Sequence, residues 1–382
     1  MKTFSDEIKN AFEYAVETED EVLFDALANR FCTESQKLKN ELLLLTAKKA
    51  KTPNLIEHTL ALGGQLSYTE ETGSTLLHYA AASSHIKAVQ FFLEKGLSVN
   101  ARNNIGATPL FAAAAESGSR KVIQALLKAG GDIKAKTDRG DTLLHMAAAF
   151  NPYSSILQFF LDQGLSVEDK NSEGYTALFA AARWQESNCA LEILQKAGSD
   201  LYARAENGDT IFHIAAMNPN PEPAKWLKDY FSTSERNNVG ESCLERALSS
   251  AGSGLTLEVY LKKMQHEHLM LAYKNQVYGV IKTLAHSGYN LNLADKNGTT
   301  VLMQTAKDAD LLSIDNLLSE NCDENRKDNL NRNVLHYAAV NPEREVFEIT
   351  RALLGGAEGD LATSKDKSGH TPDYYLEHPE DF

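Results

Sequence analysis

A phrase of nine residues recurs along the chain and sets its pattern of apolar and polar positions. Each copy opens with glycine, places threonine two residues later and runs through apolar residues to a pair of alanines. The copies are GSTLLHYAA from Gly73, GATPLFAAA from Gly106, GDTLLHMAA from Gly140, GYTALFAAA from Gly174 and GDTIFHIAA from Gly208. Successive glycines are 33, 34, 34 and 34 residues apart. A constant period of this length predicts a stack of similar structural repeats.

Each period predicts two helices joined by a turn. The threonine precedes an apolar helical pattern, where its hydroxyl can cap free N–H groups, and the paired alanines keep this first helix thin. The second helix carries the bulky core residues, as in VQFFL at 89–93 and ILQFFL at 156–161. A glycine then ends it, because that position often needs positive φ. The predicted caps are Thr75, Thr108, Thr142, Thr176 and Thr210, and the predicted stops are Gly96, Gly130, Gly164 and Gly198.

Weaker copies and irregular segments flank the regular repeats. Copies continue as GESCLERAL from Gly240, GTTVLMQTA from Gly298, NRNVLHYAA from Asn331 and GHTPDYYLE from Gly369. Helical spacing over 4–17, 20–31 and 34–50, and a helix opened by Pro53, predict an N-terminal cap. In the long gap after Gly240, segment 255–264 fits the second helix of one repeat, and segments 266–274 and 277–286 fit the two helices of a next repeat whose finger is deleted. The total is about ten repeats, including degenerate ones.

These motifs resemble the ankyrin repeat in period, in the G-x-T-P/L-L-H-x-A-A opening and in the L-x-x-G-x-x-V-N closing, seen as LEKGLSVN. The resemblance is strong over 73–240 and weak over 266–382. It implies an all-α solenoid of helix-turn-helix units whose turns project as short finger hairpins or loops. The expected divisions are 1–72 as a helical cap with degenerate repeats, 73–240 as regular repeats, 241–297 as irregular repeats lacking one finger, and 298–382 as C-terminal repeats and cap.

Composition narrows the class of protein. The chain has 38 Lys and Arg against 52 Asp and Glu, a net charge of −14, which disfavours nucleic-acid binding. At 43% hydrophobic and 24% charged residues, with no long apolar run, it is expected to be folded and soluble without membrane insertion. The start MKTFSDEIKN has no signal-peptide pattern. Widely spaced Cys32, Cys189, Cys243 and Cys322 predict free thiols in a reducing cytoplasm.

No motif predicts catalysis, a cofactor or a metal. The resemblance implies that His78, His145, His213 and His336, each three residues after the repeat threonine or its equivalent, make hydrogen bonds within and between repeats. Phe111 and Phe179 replace this histidine in two repeats, as a packing position permits. His266 and His268, near Cys243 in sequence, match no hydrolase signature. The alternative to a binding protein is an enzyme whose active site lies in 1–72 or 241–297, with the repeats recruiting substrate.

A binding surface is predicted on the first helices. Positions four apart share a helix face, and in ankyrin folds the outward face lines a concave groove. The outward pairs are Tyr79/Ser83, Ala112/Glu116, Met146/Phe150, Ala180/Trp184, Ile214/Asn218, Arg246/Ser250, Gln304/Asp308 and Tyr337/Asn341. The expected partner-binding residues are Tyr79, Met146, Phe150, Trp184, Ile214 and Met217 on helices, with Asn104, Arg139, Glu173 and Asn207 on fingers. Phe150 and Trp184 are either partner anchors or packed onto neighbouring repeats.

The resulting hypothesis is a non-catalytic, monomeric protein-interaction module that binds partner proteins in the groove. Its acidic end, DYYLEHPEDF, resembles ankyrin proteins that intracellular bacteria deliver into the host cytosol as effectors, and a cytosolic eukaryotic adaptor is the alternative setting. Asn100 and Asn292 occupy the finger position that asparagine hydroxylases modify in some ankyrin proteins. The same asparagine serves in other repeats only to hydrogen-bond its turn.

Overall fold

The structure is a computed structural model. It describes residues 6–31, 35–232, 235–248, 259–260, 285, 290–308, 311–320, 322–356 and 359–382. These described residues form 21 α-helices and one short 3-10 helix, with isolated β-bridges but no strand. The protein is therefore an all-α repeat protein, as predicted. The chain divides into two compact units, Met1–Ile211 and Phe212–Phe382.

Helices of the first unit alternate between first and second helices of successive repeats after an N-terminal helical segment. Their bounds are α1 Asp6–Thr18, α2 Glu21–Phe31, α3 Gln36–Lys49, α4 Asn54–Ala61, α5 Leu76–Ala82, α6 Ile86–Glu94, α7 Pro109–Glu116, α8 Arg120–Lys128, α9 Leu143–Phe150, α10 Ser154–Asp162, α11 Ala177–Trp184 and α12 Cys189–Lys196. The four predicted N-terminal helices are present. Phe12 on α1 and Phe24 on α2 are completely buried and meet edge to face at 5.9 Å, so these two helices share an apolar core.

Close packing of the first helices depends on their alanines. Helices α5, α7, α9 and α11 lie side by side, and the paired alanines of each are buried, as at Ala80 and Ala81. Small side chains let helix axes approach, and the apolar side chains of the second helices fill the remaining space. Phe92 on α6 and Phe160 on α10 are completely buried. The predicted division between thin first helices and bulky second helices is confirmed.

Two of the predicted threonine caps work together with the repeat histidine. Thr75 and His78 form a capping box, in which the Thr75 N–H donates to His78 Nδ1 at 3.1 Å. Because an N–H can only donate, Nδ1 is the acceptor and the proton lies on Nε2. Nε2 then donates to the Ala107 carbonyl of the next repeat at 3.0 Å. Thr142 and His145 repeat the arrangement, so the predicted bonds within and between repeats are confirmed.

Side-chain capping is wrong for Thr108 and Thr176. Both precede a helix in extended backbone, but neither hydroxyl makes a cap hydrogen bond. The residue three positions later is Phe111 or Phe179 in these repeats, so the histidine that completes the box is missing. These two helices rely on burial of the phenylalanine instead.

The finger glycine Gly73 is required by the neighbouring finger as well as by its own backbone. Gly73 has φ of 75°, and a Cβ there would lie 2.4 Å from Oδ1 of Asn104 on the next finger. The fingers of the first unit are joined by a ladder of main-chain hydrogen bonds. In each bond a main-chain N–H donates to a carbonyl oxygen of the preceding finger: Asn104 to Thr72 at 2.9 Å, Asp138 to Ile105 at 3.0 Å, Ser172 to Arg139 at 2.8 Å and Glu206 to Glu173 at 3.3 Å.

The second unit contains the weaker repeat copies. Its helices are α13 Ile211–Ala215, which starts at the unit boundary, α14 Glu222–Leu227, α15 Cys243–Leu248, α16 Val301–Asp308, α17 Leu311–Ser319, α18 Val334–Ala338, α19 Arg344–Leu353, α20 Asp360–Thr363 and α21 Pro372–Glu377, followed by the 3-10 turn Pro379–Asp381. Apart from residues 259–260 and 285, the helices predicted over 255–286 lie outside the described residues. Asn331, with φ of 67°, takes the place of the finger glycine, a conformation that asparagine tolerates.

Candidate functional site

An open cleft lies between the fingers and the first helices of the first unit. Its volume is about 550 Å³. Tyr79 on α5 and Met146 on α9, both predicted site residues, line it from the helix side. Asn104, also predicted, lines it from the finger side. The other lining residues are Lys48, Thr72, Ser74, His78, Ala82, Asn103, Ile105, Ala107, Thr108, Phe111, Ala112, Ala115 and Glu116.

A second cleft of about 600 Å³ adjoins the first, because both contain Lys48 and Tyr79. It lies against α1 and α3 and carries charges of both signs. Lys49 lies 2.9 Å from Glu13 and 2.7 Å from Glu17, which lowers the pKa of Glu17. Its lining residues are Lys9, Phe12, Glu13, Lys37, Glu41, Leu44, Leu45, Lys48, Lys49, Tyr68, Glu70, Glu71 and Tyr79. No sequence motif predicts this cleft.

Tyr79 separates the two clefts and is fixed in place. Its hydroxyl donates a hydrogen bond to the Glu70 carboxylate. Burial, reinforced by that carboxylate, raises the pKa of Tyr79 to about 12. The phenol is therefore protonated at neutral pH and its hydrogen is already engaged, so the ring, more than the hydroxyl, is what Tyr79 offers to a ligand.

Phe150 and Trp184 form a half-exposed aromatic pair. Phe150 ends α9, one turn after the cleft residue Met146, and Trp184 ends α11. Their exposed fractions are 48% and 52%, and their ring centroids are 5.9 Å apart. The Arg183 guanidinium lies 4.2 Å from the Trp184 ring. The two rings thus pack on each other across the repeat boundary while keeping about half of their surface open. This arrangement combines the two alternatives that the sequence left for these residues.

Finger side chains are tied to one another. Asn104 Nδ2 donates to the Glu71 carbonyl at 2.8 Å, and Arg139 pairs with Glu173. Asn207 Nδ2 donates to Asp209 Oδ2 at 2.7 Å. Ile105, which sequence reasoning missed, lies 57% exposed at a fingertip and lines the cleft. The sequence signal for Ile105 was its position as a single apolar residue between Asn104 and Gly106 of the finger.

The predicted accessibility of Ile214 is wrong, because its side chain is completely buried. Tyr337, at the same repeat position, is buried too, and so are Asn218 and Asn341. Helical period fixes where a side chain points from its own helix, but whether solvent lies there depends on other segments. Met217 is partly exposed. Ser250, the other member of a predicted pair, lies outside the described residues.

An Asn-Pro pair follows the first helix in three repeats and shows where the repeats differ in length. Asn151 Nδ2 donates to the Ala114 carbonyl of the preceding repeat at 2.9 Å, and Asn341 donates to Ala306 at 3.0 Å. Their Oδ1 atoms accept from Tyr153 and Glu343 N–H groups. Alignment on this motif makes Asn218 and Asn341 equivalent to Asn151. Phe150 is therefore one extra residue, which lengthens α9 and exposes an aromatic ring at its end.

The finger asparagines join successive repeats. Asn100 Nδ2 donates to the Gly130 carbonyl at 2.9 Å, and its Oδ1 accepts from the Asp132 N–H at 3.0 Å. Asn292 Oδ1 accepts from the Asp323 N–H at 2.7 Å. Both side chains therefore bind the next repeat instead of only their own turn. Hydroxylation of either residue stays a prediction.

Histidine and cysteine are the other residue types that could carry chemistry. Burial lowers the pKa of His78, His145 and His336, which keeps them neutral. Cys189, Cys243 and Cys322 are not in disulfide bonds, whereas Cys32, His266 and His268 lie outside the described residues. In the described part of the chain, no cluster of His, Cys, Asp and Glu could hold a metal ion. None of the described helices combines the length and apolarity needed to cross a bilayer.

A family model described as ankyrin repeats (3 copies) matches residues 43–137, 113–205 and 269–372. These matches cover more than half of the chain, which belongs to the ankyrin-repeat family. They begin within the segment predicted as an N-terminal cap and extend through the weaker copies. No curated protein matches the sequence. Ankyrin repeats are generally protein–protein interaction modules and are typically non-catalytic scaffolds.

Proposed function

We propose that the first unit binds a partner protein on its groove face, defined by the two adjoining clefts and the Phe150–Trp184 pair. The observation that carries the proposal is this half-exposed aromatic pair, in which Phe150 lies one turn along α9 from Met146, a residue that lines the open, mainly apolar cleft. Aromatic and arginine side chains dominate the energy of protein interfaces, and Arg183 lies on the Trp184 ring. Tyr79 and Met146 extend the same surface into the cleft.

The groove face is held in shape before a partner arrives. The finger ladder, the capping boxes and the Tyr79–Glu70 bond all fix lining residues to neighbouring repeats. A surface that is already ordered loses little conformational entropy on association. Arg139, Glu173 and Asn207 serve as a polar rim beside the apolar centre.

The proposed setting is a reducing cytoplasm, where an exposed free thiol such as Cys189 persists. Two cellular settings are proposed as alternatives. In one, a bacterium delivers the protein into a host cytosol, and in the other the protein is a eukaryotic adaptor. The same surface would bind the partner in either setting. The protein acts as a monomer with a protein partner, and the net charge of −14 opposes nucleic-acid binding. Light scattering during size-exclusion chromatography tests the monomer directly.

The test is capture of partners from cell lysate by the purified chain and by the Phe150→Ala/Trp184→Ala variant. We expect a specific partner to be retained by the wild type and lost by the variant. The matched control is Tyr14→Ala/Tyr202→Ala, which removes two rings that are 61% and 63% exposed but line neither cleft.

Circular dichroism establishes that each variant is folded before capture is compared. Equal capture by all three proteins would place the interface elsewhere and contradict the proposal. Absence of any specific partner from several lysates would also count against it.

A further inference from the structure

The aromatic ring of Phe382 packs against Tyr337 on α18 and against other side chains of the second unit. Its ring centroid lies 4.1 Å from the Arg332 guanidinium carbon and 5.1 Å from Lys307 Nζ. Two tyrosine rings complete the enclosure, Tyr337 at 4.9 Å and Tyr375 at 5.4 Å, both edge to face. Phe382 thus inserts an aromatic ring into a pocket made of two cations and two aromatic rings.

The walls of this pocket are fixed by bonds that do not involve Phe382. Asp328, buried beneath them, accepts from Arg332 Nε at 2.7 Å and from the Tyr337 hydroxyl at 2.9 Å. Tyr337 also contacts the Thr299 hydroxyl at 3.1 Å. One carboxylate therefore orients both the guanidinium plane and the phenol ring, so Arg332 and Tyr337 each keep a bond that does not depend on Phe382.

The segment that enters the pocket is acidic. Pro379–Asp381 forms a 3-10 turn that places Glu380 and Asp381 immediately before Phe382. Asp381 accepts from the Tyr374 hydroxyl at 2.6 Å, and Arg332 Nη1 donates to the main-chain oxygen of Phe382 at 2.8 Å. The turn is thus held by Tyr374, while Phe382 meets Arg332 through both its ring and its main-chain oxygen.

Tyr337 stands at the repeat position that Tyr79 and Met146 occupy in the first unit, where that position lines an open cleft. In the second unit the same position is buried, and Phe382 lies on it. The outward repeat position is thus open in the first unit, whereas in the second unit the ring of Phe382 occupies it.

We propose that Arg332, Lys307, Tyr337 and Tyr375 form a binding site for an aromatic side chain, and that Phe382 occupies it in cis. A peptide of the same chemistry binds there only when Phe382 leaves. This inference concerns the second unit alone and does not depend on the groove face of the first.

The test uses the full chain and a fluorescent peptide of sequence EHPEDF, blocked at both ends so that only its side chains carry charge. Fluorescence anisotropy compares its binding to the wild type and to Phe382→Ala. We expect the variant to bind at least about tenfold more tightly, because the competing segment has lost its ring. A second peptide, EHPEDA, should bind the variant at least about tenfold more weakly than EHPEDF.

Adding Arg332→Lys to the Phe382→Ala variant provides the site control. Lysine retains the charge but loses the planar group that stacks on the ring, so EHPEDF binding should weaken while circular dichroism stays unchanged. If Phe382→Ala does not fold, Phe382→Leu replaces it, since leucine keeps apolar cover without the aromatic face. Equal binding to wild type and variant, no binding to either, or equal binding of the two peptides would each overturn the proposal.

Discussion

The outward position of the first helix is open in the first unit and covered in the second. Tyr79 and Met146 line a cleft of about 550 Å³, whereas Ile214 and Tyr337 are buried. The helices are built from nearly the same phrase, so their own sequence does not explain the difference. At Tyr337 the cover is Phe382, a residue from another part of the second unit. The exposure of a repeat position is thus determined by whether a residue from another segment packs on it.

One ion pair from each unit shows the same contrast. Arg102 and Asp138 in the first unit are 2.8 Å apart, with side chains 48% and 63% exposed. Arg332 and Asp328 in the second unit are 2.7 Å apart, with side chains 12% and 1% exposed. An exposed pair contributes little to stability, whereas removing one partner of a buried pair leaves an uncompensated charge. Loss of Arg332 should therefore destabilise the protein more than loss of Arg102.

The largest expected effect comes from truncating the same repeat position in each unit. Tyr337→Ala removes a buried ring and its hydrogen bonds to Thr299 and Asp328, and we expect a loss of about 3 kcal/mol in the free energy of unfolding. Tyr79→Ala removes a partly exposed ring and should cost about 1 kcal/mol. Urea denaturation of both variants measures the difference. Equal losses would show that the two positions are covered alike.

The next effect separates an interior finger from the last one in the second unit. Gly298 and Gly369 have φ of 83° and 86°, but only at Gly298 would a Cβ approach the next finger, 2.9 Å from the Asn329 nitrogen. Gly369→Ala should cost about 1 kcal/mol from backbone strain alone. Gly298→Ala should cost about 2 kcal/mol, because the ladder bond from Asn329 N–H to the Asn297 carbonyl must also shift.

Thermal unfolding of these two variants, with the wild type as reference, gives the comparison. A Gly369→Ala variant that is as unstable as Gly298→Ala would contradict the role assigned to the neighbouring finger.

A smaller effect tests a feature that the units share. The pKa of His145 and of His336 is lowered by burial, so below the ordinary value of 6.5 the unfolded chain binds more protons than the folded chain. Stability should therefore fall as the pH drops through about 6.5 towards 5, by at most about 1.4 kcal/mol per pH unit for each histidine.

His145→Phe should reduce this slope, since Phe111 and Phe179 fill the equivalent position in two repeats and cannot titrate. Urea midpoints at pH 7 and pH 5 provide the measurement. An unchanged slope would show that His145 is not buried in neutral form.

The smallest effect is expected at the aromatic pair. Phe150→Ala/Trp184→Ala should leave the thermal midpoint nearly unchanged, with a loss below about 1 kcal/mol, because both rings are half exposed. Differential scanning calorimetry checks this value. A loss as large as that of Tyr337→Ala would make the pair part of the core and would remove it as a partner anchor.

The site was predictable in part. Tyr79, Met146 and Asn104 were found from helical period and finger position, and they line one cleft. Ile214 was misplaced, since aligning repeats on glycine ignores the Asn-Pro pairs that mark where each first helix ends. Lys48 was missed because it belongs to α3, whose sequence lacks the repeat phrase.

The period and the pattern of apolar and polar residues predicted the repeats, their helices and the buried faces of the second helices. Positive φ at the finger glycines and burial of the second helices recur in successive copies, whereas capping by Thr108 and Thr176 was not predictable from the threonine alone, because the partner histidine is missing there. Which outward positions are open depends on the folded arrangement of distant segments. Phe382 follows Tyr337 by 45 residues and yet lies against its ring. Exposure depends on such distant segments, and no local pattern of apolar and polar residues records where a distant segment comes to rest.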